Sequence, residues 1–147
     1  MAGLLFAFAV VVMPGIKNLN DKGFIRAFQV IDRVIQNNQP VFMLIWVGSI
    51  LVLIVTAVLG FSQLDGVDIL LLMAAAGIYF FGVQLPTILI NVPLNNKLQT
   101  VDVEAFDEAE AKQARQNFEP RWNRSNAIRT VLASITTLLL IFLITKL

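Results

Sequence analysis

Two stretches of this chain carry carboxamides, hydroxyls and one guanidinium at helical spacing within otherwise hydrocarbon sequence. Gln84, Thr87, Asn91 and Asn95 are spaced three, four and four residues apart, which lines them along one helix face. Trp122, Asn126, Arg129, Thr130 and Thr137, with Ser134 near them, share one broad face of a second helix. The chemistry open to such a set is narrow. A guanidinium flanked by amide donors can hold and stabilise an oxyanion such as an enolate or phenolate. It can also bind an anionic headgroup with no chemistry at all. Asn91, Asn95, Asn126 and Arg129 are the candidates for contact with a developing oxyanion. Gln84, Thr87, Trp122 and Thr130 are the candidates for substrate binding, with the Trp122 indole walling the pocket by stacking.

These groups could instead be glue between helices. Interhelical hydrogen bonds in membranes average about 0.6 kcal/mol and reach roughly 1–2 kcal/mol. An unpaired amide in hydrocarbon costs roughly 2–7 kcal/mol, so packing alone gives little reason to gather so many. An ionisable group within a membrane span points to function by default.

Composition closes off most other chemistry. The chain has no Cys and no His, so disulfides, thiolate catalysis, imidazole bases and the usual haem and zinc ligands are excluded. No Asp or Glu lies within the first, third or fourth apolar run. A carboxylate dyad, a proton relay and a carboxylate metal site are therefore not expected, and no general base is evident. The lack of membrane carboxylates and of internal repeats also argues against a transporter. Net charge is +1, which gives no electrostatic basis for nucleic-acid binding.

The elements that must position these residues are membrane helices. Mean hydropathy is +0.76 and 57% of residues are hydrophobic, above the roughly 45–50% of a soluble domain. Residues 41–61, 69–92 and 121–145 are each long enough to cross a bilayer, which takes about 20 residues. Residues 1–16 would extend about 24 Å at roughly 1.5 Å per residue and are read as a short first span. Ten of the eleven Lys and Arg residues fall after the first and third runs. The positive-inside rule puts those two segments in the cytoplasm and both termini, with the Ser62–Asp68 loop, outside. Pro86 and Pro93 should kink the third span and free carbonyls near Gly82 and Leu89.

The first basic segment reads as an amphipathic helix. Phe24, Phe28, Ile31 and Ile35 recur at helical spacing, while Lys22, Arg26, Asp32 and Arg33 fill other faces. Asn20 or Asp21 can cap it and Asn37 to Pro40 stops it. It lies along the cytoplasmic interface or folds under the bundle. In the second basic segment, residues 102–118 suit a solvated helix with a weak apolar face. Pro120 suits the first turn of the fourth helix, with Trp122 at the interface.

These residues carry a family resemblance. Asn91-Val92-Pro93-Leu94-Asn95-Asn96-Lys97-Leu98, followed by Arg121-Trp122-Asn123-Arg124-Ser125-Asn126-Ala127-Ile128-Arg129-Thr130, is similar to the anthrone oxygenase-like family of small four-helix membrane proteins. The opening Gly3 to Phe8, Met13-Pro14-Gly15 and the Asn-rich stretch before Pro40 are similar as well, so the resemblance spans essentially the whole chain. The family's recurring polar positions correspond to Asn91, Pro93, Asn95, Trp122, Asn126 and Arg129. Where the family often has a second Trp, this chain has Ser125. The resemblance implies a cofactor-free oxygenase that converts anthrones to anthraquinones.

The expectation is an all-α protein of one domain, residues 1–147: a four-helix transmembrane bundle with an amphipathic cytoplasmic helix between spans 1 and 2 and a cytoplasmic helical segment between spans 3 and 4. Its expected location is a bacterial inner membrane. Its expected activity is cofactor-independent, metal-free oxygenation of a hydrophobic enolisable or phenolic compound. The alternative is a non-enzymatic binder of lipid or small molecules, or an accessory subunit of a membrane complex. Expected partners are a hydrophobic small molecule or lipid and the bilayer, with room for an oligomer and no nucleic acid.

Overall fold

The computed structural model describes residues 1–146 and contains no strand among them. Five helices follow in order: α1 (Ala2–Ile16), α2 (Asp21–Gln36), α3 (Pro40–Gln63), α4 (Gly66–Gln99) and α5 (Glu108–Lys146). Helices α3, α4 and α5 are long and apolar enough to cross a membrane, the character of an integral membrane protein. The stretch expected as a first span forms the shorter apolar α1.

Helix α2 starts where Asn20 accepts from Gly23 N at 2.8 Å, so Asn20 rather than Asp21 is the cap. It stops at Asn37, and Asn38 takes a left-handed φ of 56°. Pro40 then opens α3, with Gln39 accepting from Phe42 N. Helix α2 folds under the other helices: Phe24, Ile25, Phe28, Gln29 and Asp32 are all buried. Asp32 therefore lies on the inner face, a correction to its expected place on a polar one. Gln29 Nε2 donates to Leu98 O and Val101 O at 2.8 and 2.9 Å, and Gln99 Nε2 returns a bond to Gln29 O at 2.9 Å. These bonds clasp α2 to the end of α4.

The expected solvated helix at 102–118 is also corrected. Helix α5 begins at Glu108 behind a reciprocal capping box: Asp107 accepts from Glu110 N at 2.8 Å and Glu110 from Asp107 N at 2.9 Å. It runs unbroken past Pro120. The proline costs about 3 kcal/mol in an isolated helix interior, but Phe118 and Trp122 on either side of it are both buried. They pack with Phe24 and Phe28 of α2 at centroid separations of 4.6 to 6.4 Å. That burial overrides the local propensity. Trp122 is thus in the core and not at a lipid interface.

Arg115 ties the start of the chain to α5. It donates to Leu19 O, Lys17 O, Asp21 and Glu119 and lies 4.4 Å from the Phe24 ring centroid. Burial works against its charge, but Glu119 and Asp21 more than offset this and raise its pKa. Arg115→Ala should destabilise the fold by about 2–3 kcal/mol, with the part due to its partly exposed ion pairs falling as salt rises. Denaturant unfolding in detergent measures this. A loss under about 0.5 kcal/mol would show that these bonds do not anchor the α1–α2 connection.

Prolines shape α1 and α4. Wide π-helical turns at Phe8–Val12, Ile78–Gln84 and Thr87–Asn91 each end two residues before a proline: Pro14, Pro86 and Pro93. The proline ring clashes with the carbonyl four residues back, and a wider turn relieves the clash. Pro86 and Pro93, expected to kink the third span, each follow such a turn within one continuous helix. Helix α3 stands apart, with only 6% of its most apolar stretch buried. Ser49–Tyr79 (2.7 Å) and Trp46–Gln84 (2.9 Å) hydrogen bonds hold it to α4.

Candidate functional site

Two apolar clusters fill the interior. One holds Met13, Phe24, Phe28, Phe118 and Trp122; the other holds Leu5, Leu53, Tyr79, Val83 and Ala133. Between them, all five helices line a partly open cavity of about 120 Å³. Its polar lining consists of Asp32, Trp46, Thr87, Asn91, Asn95, Trp122, Asn126 and Arg129. Leu4, Leu5, Phe8, Phe28, Ile35 and Phe42 form most of the apolar walls.

Helix α5 supplies the cation. Arg129 is 4% exposed and donates through Nη1 to Thr87 Oγ1 at 2.9 Å and through Nη2 to Asn126 Oδ1 at 3.0 Å. Its guanidinium carbon lies 6.0 Å from the Trp122 ring centroid. Asn126 is 2% exposed, and its Nδ2 donates to Leu5 O of α1 at 3.1 Å. With its oxygen facing Arg129, Asn126 orients one edge of the guanidinium.

Helix α4 supplies the amides. Ser125 Oγ donates to Asn91 Oδ1 at 2.6 Å. Trp122 Nε1 donates to Asn95 Oδ1 at 2.8 Å. The indole can only donate, so it fixes which way the Asn95 amide points. Its Nδ2 then reaches Asp32 Oδ1 at 2.7 Å.

Six of the eight residues singled out by spacing thus line one cavity: Thr87, Asn91, Asn95, Trp122, Asn126 and Arg129. Two do not. Thr130 turns back onto its own helix and donates to Asn126 O at 2.8 Å. Gln84 is buried but is not part of the lining; it accepts from Nε1 of the lining residue Trp46. The π turn at Thr87–Asn91 accounts for this. A turn closed by i→i+5 bonds advances less around the axis per residue than the about 100° of an α-helix. Thr87, Asn91 and Asn95 draw together, and Gln84 is left to one side.

Three residues were missed from sequence: Asp32, Trp46 and Ser125. Asp32 matters most, because a carboxylate now lines a site expected to have none. The signal was present. At about 100° per residue, Asp32 falls between Phe28 and Ile25, inside the apolar arc of α2.

Unpartnered donors distinguish this cavity from a satisfied core. Three buried side-chain atoms among the described residues lack a partner: Gln84 Nε2, Asn91 Nδ2 and Arg129 Nε. All are donors, and two belong to residues lining the cavity. None of the ion pairs among the described residues involves Asp32 or Arg129. A second cavity of about 590 Å³ lies between α3, α4 and α5 around Tyr79, Leu53 and Leu140. It is larger but has no charged side chain in its lining.

Fold and cavity together define a helical membrane protein with a buried polar site whose wholly unpartnered side-chain atoms are hydrogen-bond donors. The chain belongs to the anthrone oxygenase family, whose model matches residues 33–139. The match covers α3 and α4 and most of α5, and leaves out α1 and nearly all of α2, so it is narrower than the whole-chain resemblance read from sequence. No curated protein and no solved structure matches the chain.

Proposed function

We propose that this protein is a cofactor-independent oxygenase-like membrane enzyme acting on a hydrophobic enolisable or phenolic ketone of the anthrone type. The observation that carries the reading is the pair of unpartnered buried donors, Asn91 Nδ2 and Arg129 Nε, on residues that line one cavity. An unsatisfied buried donor costs about 1–3 kcal/mol, more when charged. A ligand oxygen relieves that cost, most of all one that becomes anionic as the reaction proceeds. Family membership supports oxygenation as the reaction.

In that reading the ketone oxygen sits between Arg129 and Asn91, with Asn126 holding the guanidinium in place. Loss of a proton from the CH₂ across the central ring, conjugated to the ketone through the flanking aromatic rings, moves charge onto that oxygen. The carbanion carbon bonds to O₂, and the resulting hydroperoxide loses water to leave a second carbonyl. The net change consumes one CH₂ and one O₂ and gives one C=O and one H₂O. The cavity is smaller than the roughly 300–1,000 Å³ of drug-sized ligand pockets and partly open, so it holds the reacting ring while the outer rings extend past the lining residues Leu4, Ile35 and Phe42. The four apolar segments form the membrane bundle, with the basic connections facing the cytoplasm of a bacterial inner membrane.

The test is direct. Purified protein given anthrone under air should take up one O₂ per anthraquinone formed, faster than protein-free autoxidation. A rate equal to the protein-free control overturns the reading. The larger apolar cavity favours a second reading, a lipid or small-molecule binder without chemistry. Saturable binding of anthrone with no excess O₂ uptake is its signature.

A further inference from the structure

We infer that the Asp32 carboxylate is the base of this site, taking the proton from the carbon that reacts with O₂. This rests on the oxygenase reading above and adds the group that reading lacks.

Asp32 is 2% exposed and lines the cavity shared by Arg129 and Asn91. Oδ2 accepts from Gln36 Nε2 at 2.7 Å and from Gln99 Nε2 at 3.0 Å. Oδ1 accepts only from Asn95 Nδ2, at 2.7 Å. An ionised carboxylate offers about four acceptor positions. Three are occupied, and the vacant one is on Oδ1, the oxygen that shares its partner Asn95 with the Trp122 wall.

A purely structural role is the simpler alternative, since these bonds join α2 to α4. It does not explain the charge. A glutamine or asparagine could bridge the same helices, whereas a buried carboxylate without a cationic partner costs several kcal/mol. Asp32 has no such partner among the described residues. The one buried cation nearby, Arg129, also lines the cavity without pairing to it. Two opposite charges left apart around one space suit a ligand with a proton to give at one end and an oxygen to receive charge at the other. Asp32 also lies just before the family match, which begins at residue 33, so the family does not supply this assignment.

The step balances. The C–H bond breaks, its electron pair passes through carbon to the ketone oxygen, and the proton goes to Asp32 Oδ1. After O₂ adds, Asp32 returns the proton to the peroxide oxygen, and the carboxylate is regenerated.

Proton abstraction can be read without oxygen. Anthrone is incubated anaerobically in D₂O with the full-length protein, and deuterium entering its CH₂ is followed by mass spectrometry. The wild type should accelerate exchange over buffer. Asp32→Asn should lower that acceleration by at least about 100-fold, while anthrone binding, read by tryptophan fluorescence, changes less than threefold. Asp32→Ala should be equally slow and regain exchange when formate is added. Exchange at the wild-type rate in either variant overturns the assignment. So does loss of exchange together with loss of anthrone binding in both variants and no formate rescue, which would make Asp32 structural. Wild-type exchange without O₂ uptake in air leaves the base standing and removes the oxygenase reading. Neither exchange nor uptake by the wild type removes both.

Discussion

Arg129→Ala slows anthrone-dependent O₂ uptake by about 10²–10³-fold, as loss of an oxyanion donor does elsewhere. The loss falls mainly on kcat, because the contact strengthens as charge reaches the ketone oxygen. The geometry explains why one residue carries so much. Both Nη groups are committed, to Thr87 and Asn126, which fixes the plane of the guanidinium and leaves Nε free. Arg129→Lys keeps a charge but loses the fork, since an ammonium is a point donor on a flexible stem. It should recover no more than about a tenth of the wild-type rate. The assay is oxygen uptake in detergent, run well below each variant's thermal midpoint. Arg129→Ala activity within threefold of wild type would mean that the guanidinium does not hold the reacting oxygen.

Trp122→Ala destabilises the protein by about 3–5 kcal/mol, within the range for truncating a large buried aromatic. Trp122 touches Phe8, Phe28 and Phe118 at centroid distances of 5.6, 5.5 and 6.3 Å, so α1, α2 and α5 meet on one ring. Trp122→Phe separates the ring from its N–H. It keeps most of the packing and leaves Asn95 Oδ1 without its donor, a loss of about 1–3 kcal/mol. It also frees the Asn95 amide to turn, so Asp32 can lose its Oδ1 partner. Denaturant melts give the stability change and the anaerobic exchange assay gives the activity change. If Trp122→Phe unfolds as easily as Trp122→Ala, the hydrogen bond rather than the aromatic cluster holds this corner together.

The spanning helices were legible because hydrocarbon length is a coarse signal that tertiary context cannot reverse. Trp122, Asn126 and Arg129 of α5 were legible for a related reason: in a continuous α-helix, sequence spacing maps directly onto a face, although Thr130 bonds back to Asn126 O and stays out of the lining. The stripe on α4 was less so, because its π turns alter that mapping and move Gln84 off the cavity. Asp32 was hidden by residue type. A charge on an amphipathic helix reads as solvated, even though the place of Asp32 between Phe28 and Ile25 put it on the face that packs beneath the other helices. Pro120 misled in the opposite direction: its local cost is real, but the aromatic burial around it is larger. The Asp107–Glu110 capping box was present in the sequence and set the true start of α5.

The wide turns of α4 have a further consequence. A π turn is, in effect, one surplus residue absorbed inside a helix. Removing a single residue from 78–84 or 87–91 would let the turn tighten and leave everything beyond it facing as before. The same deletion in an α-helical turn would swing the downstream half by about 100°. Helix α4 can therefore change length by one at either place while keeping the residues before Ile78 in phase with Asn95, so shortened relatives would be expected to differ there first.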